Sequence, residues 1–256
     1  MDRMDYFLEL YGELPRAGPG DDASTERAFR MAEHLPPAPR ILDLGCGPGV
    51  QTVELLRLSG GTVVALDLFP RMIARTRAAA ERAGFADRLE TVQADMSAMT
   101  FAPESFDLLW SEGAIYFLGF ERGLARAQEL VKPGGYVAVT EAVWLVPDPP
   151  AAAREFWNEY PEIDTVERKL AVIDRLGYEE VGHFVLPATS WTDRYYDPME
   201  ARIAALAPAW AGIPEAEAVL AEARTEIATF RACSRAFSYA FFVMRRTESA
   251  GASTTQ

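Results

Sequence analysis

The segment Ile41-Leu42-Asp43-Leu44-Gly45-Cys46-Gly47-Pro48-Gly49 constrains this chain more than any other. An apolar run of strand length ends in three closely spaced glycines, and a helical pattern starts at once at Val50. Glycine lets the backbone turn tightly and lets a ligand approach without interference from a Cβ. The helix that follows presents N–H groups that have no partner in its own first turn. In open parallel sheets, ligands sit at the carboxyl ends of strands where the strand order reverses. Asp67 ends the next apolar run, about 20 residues on, where a carboxylate reaches a ribose diol. A plain strand-to-helix turn uses glycines in the same way. Asp43 before the turn, Asp67 after it and the pattern around them favour a nucleotide-type ligand.

That pattern is an alternation of strands and helices. Residues 40–44, 62–66, 89–94, 106–110 and 136–141 read as strands, and 50–58, 71–83 and 118–131 as the helices between them. Crossovers of this length imply a parallel sheet covered by helices on both faces. Ahead of it lie a short amphipathic helix over 3–12, a Pro- and Gly-rich loop over 14–22 and a helix over 23–35. Asp21, Asp22 and Ser24 are its candidate caps. Behind it the pattern loosens. Asp164-x-x-Glu167 looks like a capping box for a helix ending at Gly177, 181–186 reads as a strand, 197–232 as two helices interrupted near Pro208 and Gly212, and 237–244 as a final strand.

The dinucleotide fingerprint G-x-G-x-x-G needs a third glycine one position later than Gly49, where Val50 stands. The segment instead resembles motif I (D/E-x-G-x-G-x-G) of the class I S-adenosylmethionine-dependent methyltransferases. Asp67, followed by Leu68, matches their ribose-binding acid. Ala94-Asp95-Met96 matches the segment that holds adenine, Phe106 to Ser111 matches strand four, and Leu130-Val131-Lys132-Pro133-Gly134-Gly135 matches the turn before strand five. The stretch from Trp110 to Tyr116, with Trp157, Tyr160 to Thr165 and Ser190 to Asp193, is similar to a group of uncharacterised bacterial small-molecule methyltransferases. The resemblance implies a three-layer α/β/α Rossmann-like fold with a seven-stranded, mostly parallel sheet, an antiparallel last strand and helical cap inserts. It implies S-adenosyl-L-methionine as cofactor, held by Asp43, Gly45, Cys46, Gly47, Gly49, Gln51, Asp67, Leu68, Ala94, Asp95, Met96 and Ser111.

The acceptor side is less defined. Glu112, after strand four, stands where a general base would serve an O–H or N–H nucleophile. It would equally accept backbone N–H groups or touch the cofactor ammonium. Tyr116 is a candidate to orient a substrate, or a core residue. Trp144, Trp157, Tyr160 and Trp191 fall past strand five and in inserts the sheet does not need. They are expected to bound an apolar pocket beside Ser111, Glu112 and Tyr116, or to pack the inserts down. Arg16 is placed to meet a carboxylate, and Ser24 or Thr25 to donate to one.

The 256 residues are expected to form one domain: an N-terminal helical lid (1–36), the cofactor-binding core (37–145), substrate cap and core elements (146–236), the final strand (237–246) and a polar tail (247–256). With 38 acidic against 25 basic residues, the net charge of −13 repels polyanions, so no nucleic-acid substrate is expected. Two cysteines and two histidines, without ligand spacing, suggest neither a disulfide framework nor a metal. No apolar run is long enough to span a bilayer, and the N-terminus lacks signal-peptide character, so a cytoplasmic protein without membrane partners is expected. A homodimer is possible. The reading is a methyltransferase acting on a small, apolar or aromatic molecule. Its rivals are an S-adenosylmethionine-binding protein without methyl transfer and a nicotinamide oxidoreductase.

Overall fold

In the computed structural model, which describes residues 1–247, the chain opens with α1 (Arg3–Tyr11) and α2 (Asp22–Met31). It then follows the expected alternation through β1 (Arg40–Leu44), α3 (Val50–Ser59), β2 (Thr62–Asp67), α4 (Pro70–Arg82), β3 (Leu89–Gln93), β4 (Phe106–Ser111), α5 (Phe120–Leu130) and β5 (Val131–Trp144). Beyond these come α6 (Ala151–Phe156), the two-residue strand β6 (Asp164–Thr165), α7 (Val166–Arg175) and β7 (Tyr178–Val185). The short α8 (Thr189–Trp191) then leads through a π-helical turn into α9 (Asp197–Trp210), followed by α10 (Pro214–Cys233) and β8 (Phe237–Arg246).

The strands lie in the order β3-β2-β1-β4-β5-β8-β7, with β6 beside β5. All neighbours in β3-β2-β1-β4-β5 are parallel, and β8 runs antiparallel to both β5 and β7. This is the expected α/β sandwich with an antiparallel last strand. The central strands read as near-continuous apolar runs because both faces are covered. On one face Leu42, Leu44, Val64, Val137, Val139 and Phe242 pack under α5 and α7. On the other Ile41, Val63, Leu108, Trp110, Ala138 and Phe241 pack under α2 and α3. Phe237, Phe241 and Phe242 are fully buried, each worth about 1.5–3 kcal/mol of transfer free energy. A third cluster joins α1, α6, α9 and α10 over the strand ends.

The order reverses between β1 and β4. The chain leaves β1 toward β2 and β3 and returns on the other side, so a crevice opens above the carboxyl ends of β1 and β4. The N-terminal segment is drawn toward this crevice. Arg75 of α4 donates to the carbonyls of Gly12 and Leu14, and the Gly20 N–H donates to Ser190 O at 3.0 Å.

Several sequence expectations need correction. Asp164 does not cap α7: its backbone pairs with Val143 of β5, and Thr165 is the cap, its Oγ1 accepting the Arg168 N–H at 3.4 Å. The pairing on β5 was invisible in a two-residue strand. The turn Lys132–Gly135 lies inside β5, which starts at Val131 and slips register against β4 between Phe106 and Leu108. Pro208 sits within α9 without ending it. Of the expected tail, the part from Glu248 on lies outside the described residues.

Candidate active site

The loop after β1 is folded by its glycines. Gly45, Gly47 and Gly49 have φ of +74°, +53° and +88°, a region that costs an L-residue about 1–2 kcal/mol. A Cβ on Gly45 would overlap the Ala114 methyl, and one on Gly49 would stand 2.7 Å from Thr76 Cα. Around Gly47 the tightest neighbour is the Ala17 methyl, 3.3 Å from a Cβ position. The loop is pinned from outside: Gly45 and Cys46 N–H groups donate to Leu66 O, Gln51 Nε2 to Cys46 O at 3.0 Å, and Thr76 Oγ1 to Gly47 O at 2.9 Å. Cys46 is buried, and its thiol is pushed up by that burial. Cys46 and Gln51 therefore shape the loop. Gly45→Ala is expected to melt several degrees below the wild type, at about 2–4 °C per kcal/mol for a chain of this size. An unchanged thermal melt would show that Ala114 gives way.

Across the crevice, the Asp67 carboxylate holds two backbone groups, Gly47 N–H on Oδ2 and Phe69 N–H on Oδ1, each at 2.9 Å. Each oxygen keeps a lone pair. Burial raises the pKa of Asp67, against the pull of these bonds. Leu68, next along, is 53% exposed, unusual for a leucine beside a closed core. Ala94 N–H is tied to Asp67 O at 3.1 Å. Asp95 is exposed and accepts the Ser97 N–H on Oδ1 at 2.8 Å. Hydrogen bonds from the Ser97 side chain and N–H hold it below the usual carboxylate range. The Met96 methyl reaches to 3.6 Å from a Gly45 Cβ position. These residues thus line one lip of the crevice together.

The other lip carries a buried charge network. Arg16 is 4% exposed; its Nη1 donates to Glu112 Oε2 at 2.9 Å, while Nε and Nη2 have no hydrogen-bond partner. Glu112 Oε1 accepts Thr25 Oγ1 at 2.7 Å and Trp110 Nε1 at 2.9 Å. Arg16 and Thr25 do meet a carboxylate, and it belongs to the chain itself. Ser24 Oγ likewise donates to a carboxylate, that of Asp21, the cap of α2. Both Glu112 oxygens accept from protein donors, so the carboxylate that was expected as a general base is held by the chain's own side chains. Ser111 donates to Leu44 O at 3.0 Å and is wholly buried, so it joins β4 to β1 and offers no hydroxyl to a ligand. Asp43 is fully buried, with Oδ2 bonded to Thr52 Oγ1 at 2.6 Å and Oδ1 unpartnered. Burial, with the charge of Glu112 adding to it, pushes its pKa up to about 7.

The aromatic residues past β5 gather at the same end of the sheet. Tyr116, in the turn after β4, stands edge-on to Tyr160 at 5.7 Å between ring centroids. Trp157 lies 6.3 Å from Tyr160 and 6.4 Å from Tyr239. Trp144 meets Phe237. Trp191 is a core residue: it stacks on Phe230 at 4.8 Å and its Nε1 donates to Ser238 Oγ at 3.1 Å. Sequence reasoning missed two networks here. Glu141 accepts Lys169 Nζ and Tyr160 OH on Oε1, each at 2.7 Å. The only signal was that Lys169 is one of two lysines in an arginine-rich chain. Glu226 accepts the hydroxyls of Tyr11 and Tyr196, at 3.2 and 3.1 Å, a meeting of distant segments without local signature.

Comparisons with known proteins decide what this arrangement is. A family profile described as a methyltransferase domain matches residues 41–135, from β1 into β5. The uncharacterized methyltransferase YodH of Bacillus subtilis is 30% identical over 62% of this chain and 66% of its own. A sterol 24-C-methyltransferase of Gibberella zeae is 28% identical over 69% of this chain and 51% of its own. The chain thus spans only part of the length of these curated relatives. A methyltransferase of Geobacter sulfurreducens, solved with S-adenosyl-L-homocysteine, superposes with a TM-score of 0.81 over 94% of this chain and 97% of its own, at 21% identity.

The chain carries a methyltransferase domain, in the fold of the S-adenosylmethionine-dependent methyltransferases.

It has a crevice whose unspent groups suit S-adenosylmethionine. The ligand's ribose diol, adenine amine, carboxylate and ammonium need two acceptors, one acceptor, a donor pair and an anion. The crevice offers Asp67, Asp95, the Arg16 guanidinium and Asp43 Oδ1. Among the described residues no group of His, Cys, Asp and Glu is arranged to hold a metal, and no helix is long and apolar enough to cross a membrane.

Proposed function

We propose that this methyltransferase transfers the methyl group of S-adenosylmethionine to a small, largely apolar acceptor. The observation that carries the reading is the set of buried polar atoms left without hydrogen-bond partners around the glycine loop, Arg16 Nε and Asp43 Oδ1, with Arg16 Nη2 held only by a 3.7 Å ion pair to Asp22. A buried donor or acceptor without a partner costs about 1–3 kcal/mol, so a ligand that completes these atoms binds with that much in its favour. In this reading Asp67 takes the ribose hydroxyls, Leu68 and Met96 cover the adenine, Asp95 accepts its amine, Arg16 clamps the carboxylate and Asp43 takes the ammonium.

The bound cofactor supplies an electrophilic methyl on a sulfonium. The chain's own part is to orient the acceptor and exclude water. Glu112 acts at one remove, holding Arg16 and Thr25 so that the N-terminal segment stays closed over the loop. Tyr116, Trp157 and Tyr160 form the wall against which the acceptor lies, with Trp144 behind them. The Tyr116 hydroxyl, raised to about 12 by burial and the charge of Glu226, stays protonated at neutral pH and orients by hydrogen bonding. Proximity and orientation alone supply several kcal/mol of barrier reduction. Methyl-labelled cofactor and a panel of small apolar metabolites test this reading: label should move to an acceptor. Stoichiometric cofactor binding without transfer to any acceptor would favour a binding protein instead.

Asp43 gives the reading a pH dependence. Its folded pKa, about 7, lies above the ordinary carboxylate value. The folded chain therefore keeps a proton that the unfolded chain has lost from about pH 4 upward, and this contribution to stability disappears as pH rises through 7. A cation against Oδ1 reverses the preference and expels the proton. Cofactor affinity should then rise between about pH 5.5 and 7, by up to about tenfold per unit, and Asp43→Asn should flatten the slope. Calorimetry in two buffers of different ionisation heat counts the released proton. A flat wild-type profile would place the ammonium elsewhere.

A further inference from the structure

Three glutamates are drawn in beside the acceptor wall, and the chain treats them differently. Glu112 is paired with Arg16, and Glu141 with Lys169. Glu226, on the cap helix α10, has only tyrosines: Tyr11 and Tyr196 donate to it, Tyr195 lies beside it, and no cation among the described residues reaches it. A carboxylate taken out of water without a counter-charge is costly, and a paired one much less so.

Its surroundings lead to the reacting end of the crevice. Tyr195 meets Tyr196 at 5.0 Å in a tilted pair, Tyr196 meets Trp191 at 6.0 Å, and Trp191 meets Tyr239 at 4.9 Å. The Tyr239 ring lies 3.5 Å from a Gly113 Cβ position, and Ala114, one residue on, touches Gly45 of the cofactor loop. The hydroxyls of Tyr116 and Tyr239 both feel the charge of Glu226. On the same wall the Trp157 indole N–H is buried with no partner, so this wall has hydrogen-bonding capacity the chain does not use. An aromatic surround with one uncompensated carboxylate is the chemistry that recognises an organic cation.

We infer that Glu226, within its surround of Tyr11, Tyr195, Tyr196 and Tyr239, anchors the ammonium of an acceptor that is an apolar amine. The inference rests on the methyl-transfer reading and narrows its acceptor class. An ammonium held by a carboxylate stays protonated and is no nucleophile. It is therefore the handle by which the acceptor is held, and a different atom of the molecule faces Gly113.

The test uses matched probes on the full chain saturated with S-adenosyl-L-homocysteine: benzylamine against benzyl alcohol, 2-phenylethylamine against 2-phenylethanol, and octylamine against octanol, by calorimetry at neutral pH. In at least one pair the amine should bind about tenfold or more tighter than the alcohol. Glu226→Gln, which keeps an acceptor for the tyrosines, should bring that pair to within about twofold while leaving homocysteine-ligand affinity unchanged. No amine preference in any pair, weak binding of both partners included, overturns the proposal, as does a preference that survives Glu226→Gln. Glu226 would then only join α1 to α10. Failure of S-adenosyl-L-homocysteine to bind at all would be a different result and would count against the methyltransferase reading itself.

Discussion

Asp67→Ala should bind S-adenosylmethionine at least a hundredfold more weakly than the wild type. Hydrogen bonds to a charged acceptor are worth about 1.5–3 kcal/mol each, and the ribose diol makes two in the proposed pose. The same carboxylate also accepts Gly47 and Phe69 N–H groups, so the unliganded variant should itself lose about 1–3 kcal/mol of stability. Asp67→Asn separates the two effects: its one remaining oxygen keeps part of the loop while the bidentate grip on the diol is gone. Calorimetry and a denaturant melt on both variants check this. Unchanged affinity in Asp67→Ala would remove the ribose from this site.

Glu112→Ala should be the more damaging change to the fold. It leaves the buried Arg16 guanidinium with only the longer 3.7 Å contact to Asp22 and takes partners from Thr25 and Trp110. Breaking a buried ion pair from one side costs about 3–5 kcal/mol, which in a chain of this size lowers the melting temperature by about 6–20 °C. Glu112→Gln should also be less stable, since the amide has one acceptor where the carboxylate serves three donors. A general base would behave otherwise, with Glu112→Gln folding normally and losing turnover. Equilibrium denaturation of both variants distinguishes these outcomes, and full stability with lost turnover would restore Glu112 as a base.

The alternation around the glycine loop was legible because each signal is local. Apolar runs of strand length, glycines at positive φ and an acid at the end of the second strand are written in consecutive residues. β1 falls on its expected bounds, and the crevice follows from the order of strands. What could not be read lies between distant residues. Glu112 looked available because its three donors come from Arg16, Thr25 and Trp110, two of them some 90 residues upstream. Ser111 looked like a cofactor contact, yet its hydroxyl joins two strands whose pairing sequence alone does not give. Trp191 looked like a pocket wall because it lies in an insert, but stacking on Phe230 makes it core. The Arg16 and Thr25 expectation succeeded for a reason of type: a buried guanidinium and a hydroxyl near a glycine loop need an acid, whichever segment supplies it.

The most direct test of the account is a crystal structure of the chain with S-adenosyl-L-homocysteine. The account predicts the ribose hydroxyls on Asp67, the adenine amine on Asp95, the carboxylate on Arg16 Nε and Nη2, and the ammonium on Asp43 Oδ1, with the sulfur facing Gly113 and Tyr239. A ligand seated away from the glycine loop, or one whose carboxylate leaves Arg16 unpartnered, would contradict it.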